Sequence, residues 1–185
     1  MNAHGHLLSD EQMQQFLRDG FVTVRLDVPD TFHQYIRSQM DDLLAHEPNP
    51  GNNLLPRIPE IRRVLEDPTV RGALMSLLGE DYYMQPHRHP HYNHPQSEGQ
   101  KMHQDGGRRW SHRTRRLLVF YYPQDTPMEI GPTGIVPGSH YYCTKVLSIL
   151  TIPEHMMPFQ ARLIVTPDRV TFDCCGQSTP TSAVP

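Results

Sequence analysis

The spacing of apolar positions changes character near residue 80. Up to Leu78 they recur at intervals of three and four, and from Tyr82 onward they gather in short runs separated by Gly and Pro. Ser9-Asp10-Glu11-Gln12 has the spacing of a capping box, in which Ser9 caps the first turn and Gln12 reaches back to it. That predicts a helix to about Asp19, with Met13, Phe16 and Leu17 on one face and Gly20 as its stop. Phe21-Val22-Thr23-Val24 predicts a strand. A second helix is expected after Pro29, with Phe32, Ile36, Met40, Leu43 and Leu44 at helical spacing; Pro48 to Asn53 reads as a polar loop. Helical signals return over Pro59 to Leu65. They return again after Asp67-Pro68, a cap followed by proline at the first helical position, and run to Leu78 with Gly79 beyond.

Short strands are predicted at Tyr82 to Asn93, Lys101 to Asp105, Arg116 to Tyr122, Ile130 to Val136 and Ala161 to Thr166. Helices first and strands afterwards imply an α+β fold whose body is an antiparallel barrel or double sheet. The chain's 185 residues suit one domain. It is expected over residues 1–172, mainly helical over 7–81 and stranded over 82–172. An atypical tail, 173–185, follows where the pattern lapses into Cys, Gly, Gln, Ser, Thr and Pro. The 18 prolines, about twice the usual frequency of roughly 5%, argue against a helical bundle.

Charge and composition narrow the function classes. A net charge of −3 gives no global attraction to nucleic acid. The longest apolar run, Leu117 to Tyr122, is far short of the ~20 residues that cross a bilayer. Met-Asn-Ala-His-Gly-His at the start lacks the basic-then-apolar order of a secretion signal. Cys143, Cys174 and Cys175 are odd in number and imply no disulfide framework, so a reducing, cytoplasmic setting is expected.

The sharpest chemical feature is His103-Gln104-Asp105, at the end of a predicted strand and followed by two glycines. Side chains two apart on a strand point the same way, so an imidazole nitrogen and a carboxylate oxygen can converge on one ion. That donor pair suits Fe(II), with a second His completing one face and open positions opposite.

Three blocks set this pair in context: Leu8-Ser-Asp-Glu-Gln with Asp19-Gly-Phe-Val, then Gln100-Lys-Met-His-Gln-Asp105, then Gly131-Pro-Thr-Gly-Ile-Val-Pro-Gly-Ser-His140. In this order, over roughly residues 7 to 142, the chain resembles the phytanoyl-CoA dioxygenase family. The resemblance implies a double-stranded β-helix, or jelly roll, with N-terminal helices and its last strands incomplete. It implies iron(II) on His103 and Asp105, with 2-oxoglutarate as co-substrate in a pocket beside them to which Gln100, Met102 and Tyr121 contribute. Dioxygen and a small organic substrate are the implied partners, hydroxylation the implied reaction, with neither nucleic acid nor membrane. The family's third ligand is a later His, with an Arg beyond it for the distal carboxylate of 2-oxoglutarate. Here only His112, His140 and His155 follow the pair, none in a strand context. The chain is therefore expected to stop before that His and Arg, and its activity to be impaired. Lys101, Arg88 and Arg116 are the cations local in sequence, Lys101 the least suited.

Other clusters admit two readings. His87, His89 and His91, followed by His94, can be a second metal site or a polar strand face; Pro86, Pro90 and Pro95 favour the latter. The stretch from Arg108 to Arg116 holds five of the 17 cationic residues, and Arg108, Arg109 and Trp110 can receive an anionic substrate or form a solvated loop. Cys174-Cys175 lacks zinc-finger spacing. Alternatives to the oxygenase are a non-catalytic jelly-roll remnant and a His-rich metal-binding protein.

Overall fold

The capping box forms as spaced. In the computed structural model, Ser9 Oγ accepts from the Gln12 amide at 3.3 Å and the Gln12 side chain accepts from the Ser9 amide at 3.0 Å. The structure describes residues 3–86, 88–90, 103–105, 114–127, 133–141, 163–167 and 172–174. Helix α1 spans Asp10–Asp19 and ends at Gly20, whose φ of 81° is left-handed and suits a residue without Cβ. Strand β1 (Val22–Val24) follows, then α2 (Asp30–His46), α3 (Leu54–Arg57), α4 (Ile61–Glu66) and α5 (Pro68–Leu78). At the start of α5 the Asp67 carboxylate accepts from the amides of Thr69 at 2.8 Å and Val70 at 3.3 Å, with Pro68 next to it.

The remaining strands are β2 (Leu117–Tyr121), β3 (Thr133–Ile135), β4 (Leu163–Pro167) and β5 (Phe172–Cys174). They form two antiparallel sheets. One has the order β1-β4-β2, with Val22 opposite Val165 and Val119 also opposite Val165; the other pairs β3 with β5, Gly134 opposite Asp173. Strand β4 is central, and Leu163, Ile164 and Val165 are all fully buried.

Two-residue alternation splits the core around that strand. Val22, Val24, Leu163 and Val165 face the helices and pack with Phe16, Phe32, Ile36, Ile58, Val64 and Val70. Ile164 points the other way, into a cluster with Phe21 and Ile135, against which Leu118, Phe120 and Tyr122 pack. The second cluster bridges the three-stranded sheet and β3. Helices therefore cover one face of the larger sheet, and the other face meets the smaller sheet's apolar residues.

The departures from expectation have local causes. Leu17 was placed with Phe16 on the buried face of α1, yet it is 57% exposed. The last turn of α1 is instead occupied by chain from residues 138–141, which bonds to its carbonyls rather than to its side chains. The expected helix at Pro59 begins at Ile61, and the short α3, unforeseen, buries Leu54 and Leu55 ahead of it. Over Tyr82 to Asn93, the described residues 82–86 and 88–90 form no strand. Pro86 and Pro90 have no N–H to donate to a ladder, and the Arg88 amide is taken by the Asn52 side chain at 3.0 Å. His89 thus has no regular strand face to share; His87, His91 and His94 lie outside the described residues. At the other end, β5 runs across the boundary expected at residue 172, pairing Cys174 with Thr133.

The N-terminal 3-10 turn, Ala3–His6, lies against α5. A Cβ on Gly72 would come within 2.0 Å of the His6 carbonyl oxygen, so only glycine lets the two backbones meet. The Leu8 amide then donates to Ser76 Oγ at 2.9 Å, and that hydroxyl donates to the Gly72 carbonyl at 2.9 Å. Gly72→Ala is expected to displace this turn and destabilise the fold by about 1–3 kcal/mol, the usual range for overpacking. Limited proteolysis should then cut near residues 3–8 much faster, and denaturant titration should give the free-energy change.

Candidate metal site

Of the strand expected over Lys101 to Asp105, the described residues 103–105 keep a single β-bridge at His103, and Gln104 and Asp105 lie outside any strand. The His103 and Asp105 side chains nevertheless approach each other. His103 Nε2 stands 3.6 Å from Asp105 Oδ1, and the two side chains are 38% and 51% exposed. Metal bonds of about 2.1 Å to nitrogen and oxygen span about 3.0 Å when they meet at a right angle, and roughly 4 Å when opposed. A separation of 3.6 Å is therefore within joint reach of one ion. The donor chemistry fits iron(II): one imidazole and one hard carboxylate, both partly open to solvent. Among the described residues no third His, Cys, Asp or Glu joins them.

The Gln104 side-chain amide donates to the Ser139 carbonyl at 3.4 Å. Ser139 is fully buried within a short 3-10 turn, Ser139–Tyr141. This turn closes the C-terminal end of α1. The Gly138 amide donates to the Asp19 carbonyl at 2.8 Å. His140 Nε2 lies 3.1 Å from the Leu17 carbonyl oxygen, to which the Tyr141 hydroxyl also donates. The Gly20 amide meanwhile bonds the Phe16 carbonyl at 2.9 Å. A helix end leaves its last carbonyls without intrahelical partners, and here they are met by residues more than a hundred positions away. His140 sits directly over Gly20: a Cβ there would lie 2.3 Å from His140 Nδ1. Beside it, hydrogen bonds from Arg18 and its positive charge hold the Asp19 carboxyl below the ordinary carboxylate range, with a smaller contribution from His140.

Tyr121, expected to contribute to the co-substrate pocket, has a partner on a helix. It lies on the helix-facing side of β2, and its hydroxyl shares a 2.7 Å hydrogen bond with Nδ1 of His33 on α2. His33 is buried, and the ring of Phe32 meets it edge-on. Its position was legible, because His33, Ile36 and Met40 fall on one stripe of α2. On the opposite face of β2, the Tyr122 hydroxyl donates to Thr133 Oγ1 at 2.7 Å and ties the two sheets together. Gln100, Met102, Arg108, Arg109, Trp110, His112 and His155 lie outside the described residues. Arg88 carries a side-chain Nε that is buried with no hydrogen-bond partner. No helix among the described residues is long and apolar enough to cross a membrane.

Removing the Tyr121 hydroxyl tests the tie between α2 and β2. Tyr121→Phe is expected to cost about 1–2 kcal/mol in denaturant unfolding, the range for losing one partner of a buried polar group.

Solved structures of 16% identity or less share this fold. The non-heme alpha ketoglutarate dependent carbocyclase SnoK from nogalamycin biosynthesis aligns with a TM-score of 0.68 and 16% identity, over 97% of this chain and 81% of its own. EctD from S. alaskensis, solved with 2-oxoglutarate and 5-hydroxyectoine, gives 0.70 and 15% over 96% and 76%. HygX from Streptomyces hygroscopicus, with nickel and 2-oxoglutarate bound, gives 0.61 and 13% over 92% and 82%. No curated protein matches the sequence significantly. The family model for phytanoyl-CoA dioxygenase (PhyH), however, matches residues 7–166, a span that takes in the capped α1, the His103/Asp105 pair and the turn that joins them: the chain belongs to the phytanoyl-CoA dioxygenase family.

Proposed function

We propose that this protein is an iron(II)- and 2-oxoglutarate-dependent oxygenase that hydroxylates a small organic substrate. The observation that carries the reading is the His103/Asp105 pair, 3.6 Å apart and half-exposed. Family membership supports it, as do neighbours of the same fold that were solved with 2-oxoglutarate, HygX with nickel as well. Iron(II) with 2-oxoglutarate bound supplies dioxygen activation for attack on a C–H bond. The chain's own residues bind and orient. His103 and Asp105 would hold the ion as its imidazole and carboxylate ligands, with co-substrate and dioxygen as its further partners. Gln100 and Met102 precede the pair in sequence and are assigned to the co-substrate pocket. Tyr121, committed to His33, supports that pocket from the helix side of the sheet.

A carboxylate held near the metal needs a cation. Arg88 is the candidate that the described residues favour, because a buried guanidinium nitrogen without a partner is costly unless an anion completes it. Arg108, Arg109 and Trp110 are assigned to the substrate, guanidinium forks for an anionic group and the indole for a flat surface. Among the described residues the His103 and Asp105 side chains are the donors, and two protein donors by themselves would hold iron loosely.

Anaerobic Fe(II) titration tests the pair. His103→Ala and Asp105→Ala are each expected to weaken binding by more than about tenfold, the loss that follows even from removing an outer partner of a metal ligand. Variants that bind as tightly as the parent would remove the pair from the site. Arg88→Met should raise the Kd for 2-oxoglutarate in the Fe(II)-loaded protein without changing that for Fe(II). Succinate release by the purified chain is expected to be weak; vigorous, substrate-coupled release would show that His112 or His155 completes the metal site.

A further inference from the structure

We propose that Gln104 is a positioning residue: its bond to the Ser139 carbonyl fixes His103 and Asp105 relative to the end of α1 and thereby sets the pair's affinity for metal. The proposal rests on the iron-site reading above and extends it to residues that touch no metal.

The stretch 103–105 has little support from a β ladder, since His103 makes one bridge and Gln104 and Asp105 belong to no strand. Rotation of this segment about its axis would carry both donors away from a shared ion. Gln104 is the residue placed to oppose this, because its side chain, between the two donors in sequence, reaches the Ser139 carbonyl. Its anchor is rigid. Ser139 is fully buried, and the turn that contains it is fastened to α1 through Gly138 to Asp19, His140 to Leu17 and Tyr141 to Leu17. Gly20 lets His140 approach to a distance that any side chain would forbid. The three sequence blocks shared with the family thus meet at one junction: the end of α1, the Pro-Gly-Ser-His turn and the His-Gln-Asp segment. At 3.4 Å the Gln104 bond is long and weak in itself. Its effect is orientational, as for outer-shell partners of metal ligands generally, whose loss costs about 10- to 100-fold in metal affinity.

The test compares the parent with Gln104→Met, which keeps the length of the side chain and removes its donor. Gln104→Asn, a shorter donor, is carried in parallel in case Met perturbs folding. Fe(II) affinity is measured anaerobically by calorimetry, amide exchange at residues 103–105 in the metal-free chain, and melting temperature without metal. The expected result is about tenfold weaker Fe(II) binding and faster exchange at 103–105, with the melting temperature unchanged. Unchanged affinity in both variants overturns the proposal, whatever the exchange shows, and leaves the iron site standing. Weaker binding accompanied by an equally large loss of metal-free stability also overturns it, because the role is then structural. A parent that binds no Fe(II) through His103 and Asp105 fails earlier, on the site itself, and removes both readings together.

Discussion

The arrangement depends on how the C-terminal end of α1 is closed. A helix presents unpaired carbonyls at that end, and burying them without donors is costly. In this chain the donors come from the turn at residues 138–141, and the closure works only because Gly20 has no side chain where His140 lies. The same turn offers the Ser139 carbonyl to Gln104, between the two candidate metal ligands. One helix end is thus satisfied by a loop that also touches the functional segment. A change at Gly20 would be felt first as a helix-capping defect, and next at residues 103–105.

A second constraint comes from β4. Buried on both faces, it separates a helix-facing cluster from one shared with the smaller sheet. Its alternation gives each neighbour a side: Tyr121 goes to the helices and His33, whereas Tyr122 goes to Thr133 and the second sheet. Adjacent tyrosines therefore serve different layers. This assigns their hydroxyls to scaffold contacts on the two faces of the larger sheet.

Local signals were legible where a single element could satisfy them. The Ser9–Gln12 box, the Asp67-Pro68 start and the glycine stop at Gly20 depend on residues within one turn of each other, and each formed as spaced. The closeness of His103 and Asp105 was expected from a strand, yet it is reached where the described residues 103–105 keep only one β-bridge. The exposed Leu17 and the absence of a strand at 82–86 and 88–90 were not legible in the same way. In the first, competition for the helix end comes from residues more than a hundred positions away; in the second, prolines and an asparagine from the α2–α3 loop compete with a ladder.

The helix caps, the change from helices to strands along the chain, and the candidate donor types at residues 103 and 105 could be read from the sequence by itself, because these rest on short-range backbone geometry and side-chain chemistry. Tertiary structure decided which strands became neighbours, with β1 pairing to β4 across some 140 residues, and which face each tyrosine took. It also decided that the Pro-Gly-Ser-His turn serves the end of α1. Such choices are made by burying apolar surface and pairing backbone groups between distant segments, and a one-dimensional pattern carries no record of which partners meet.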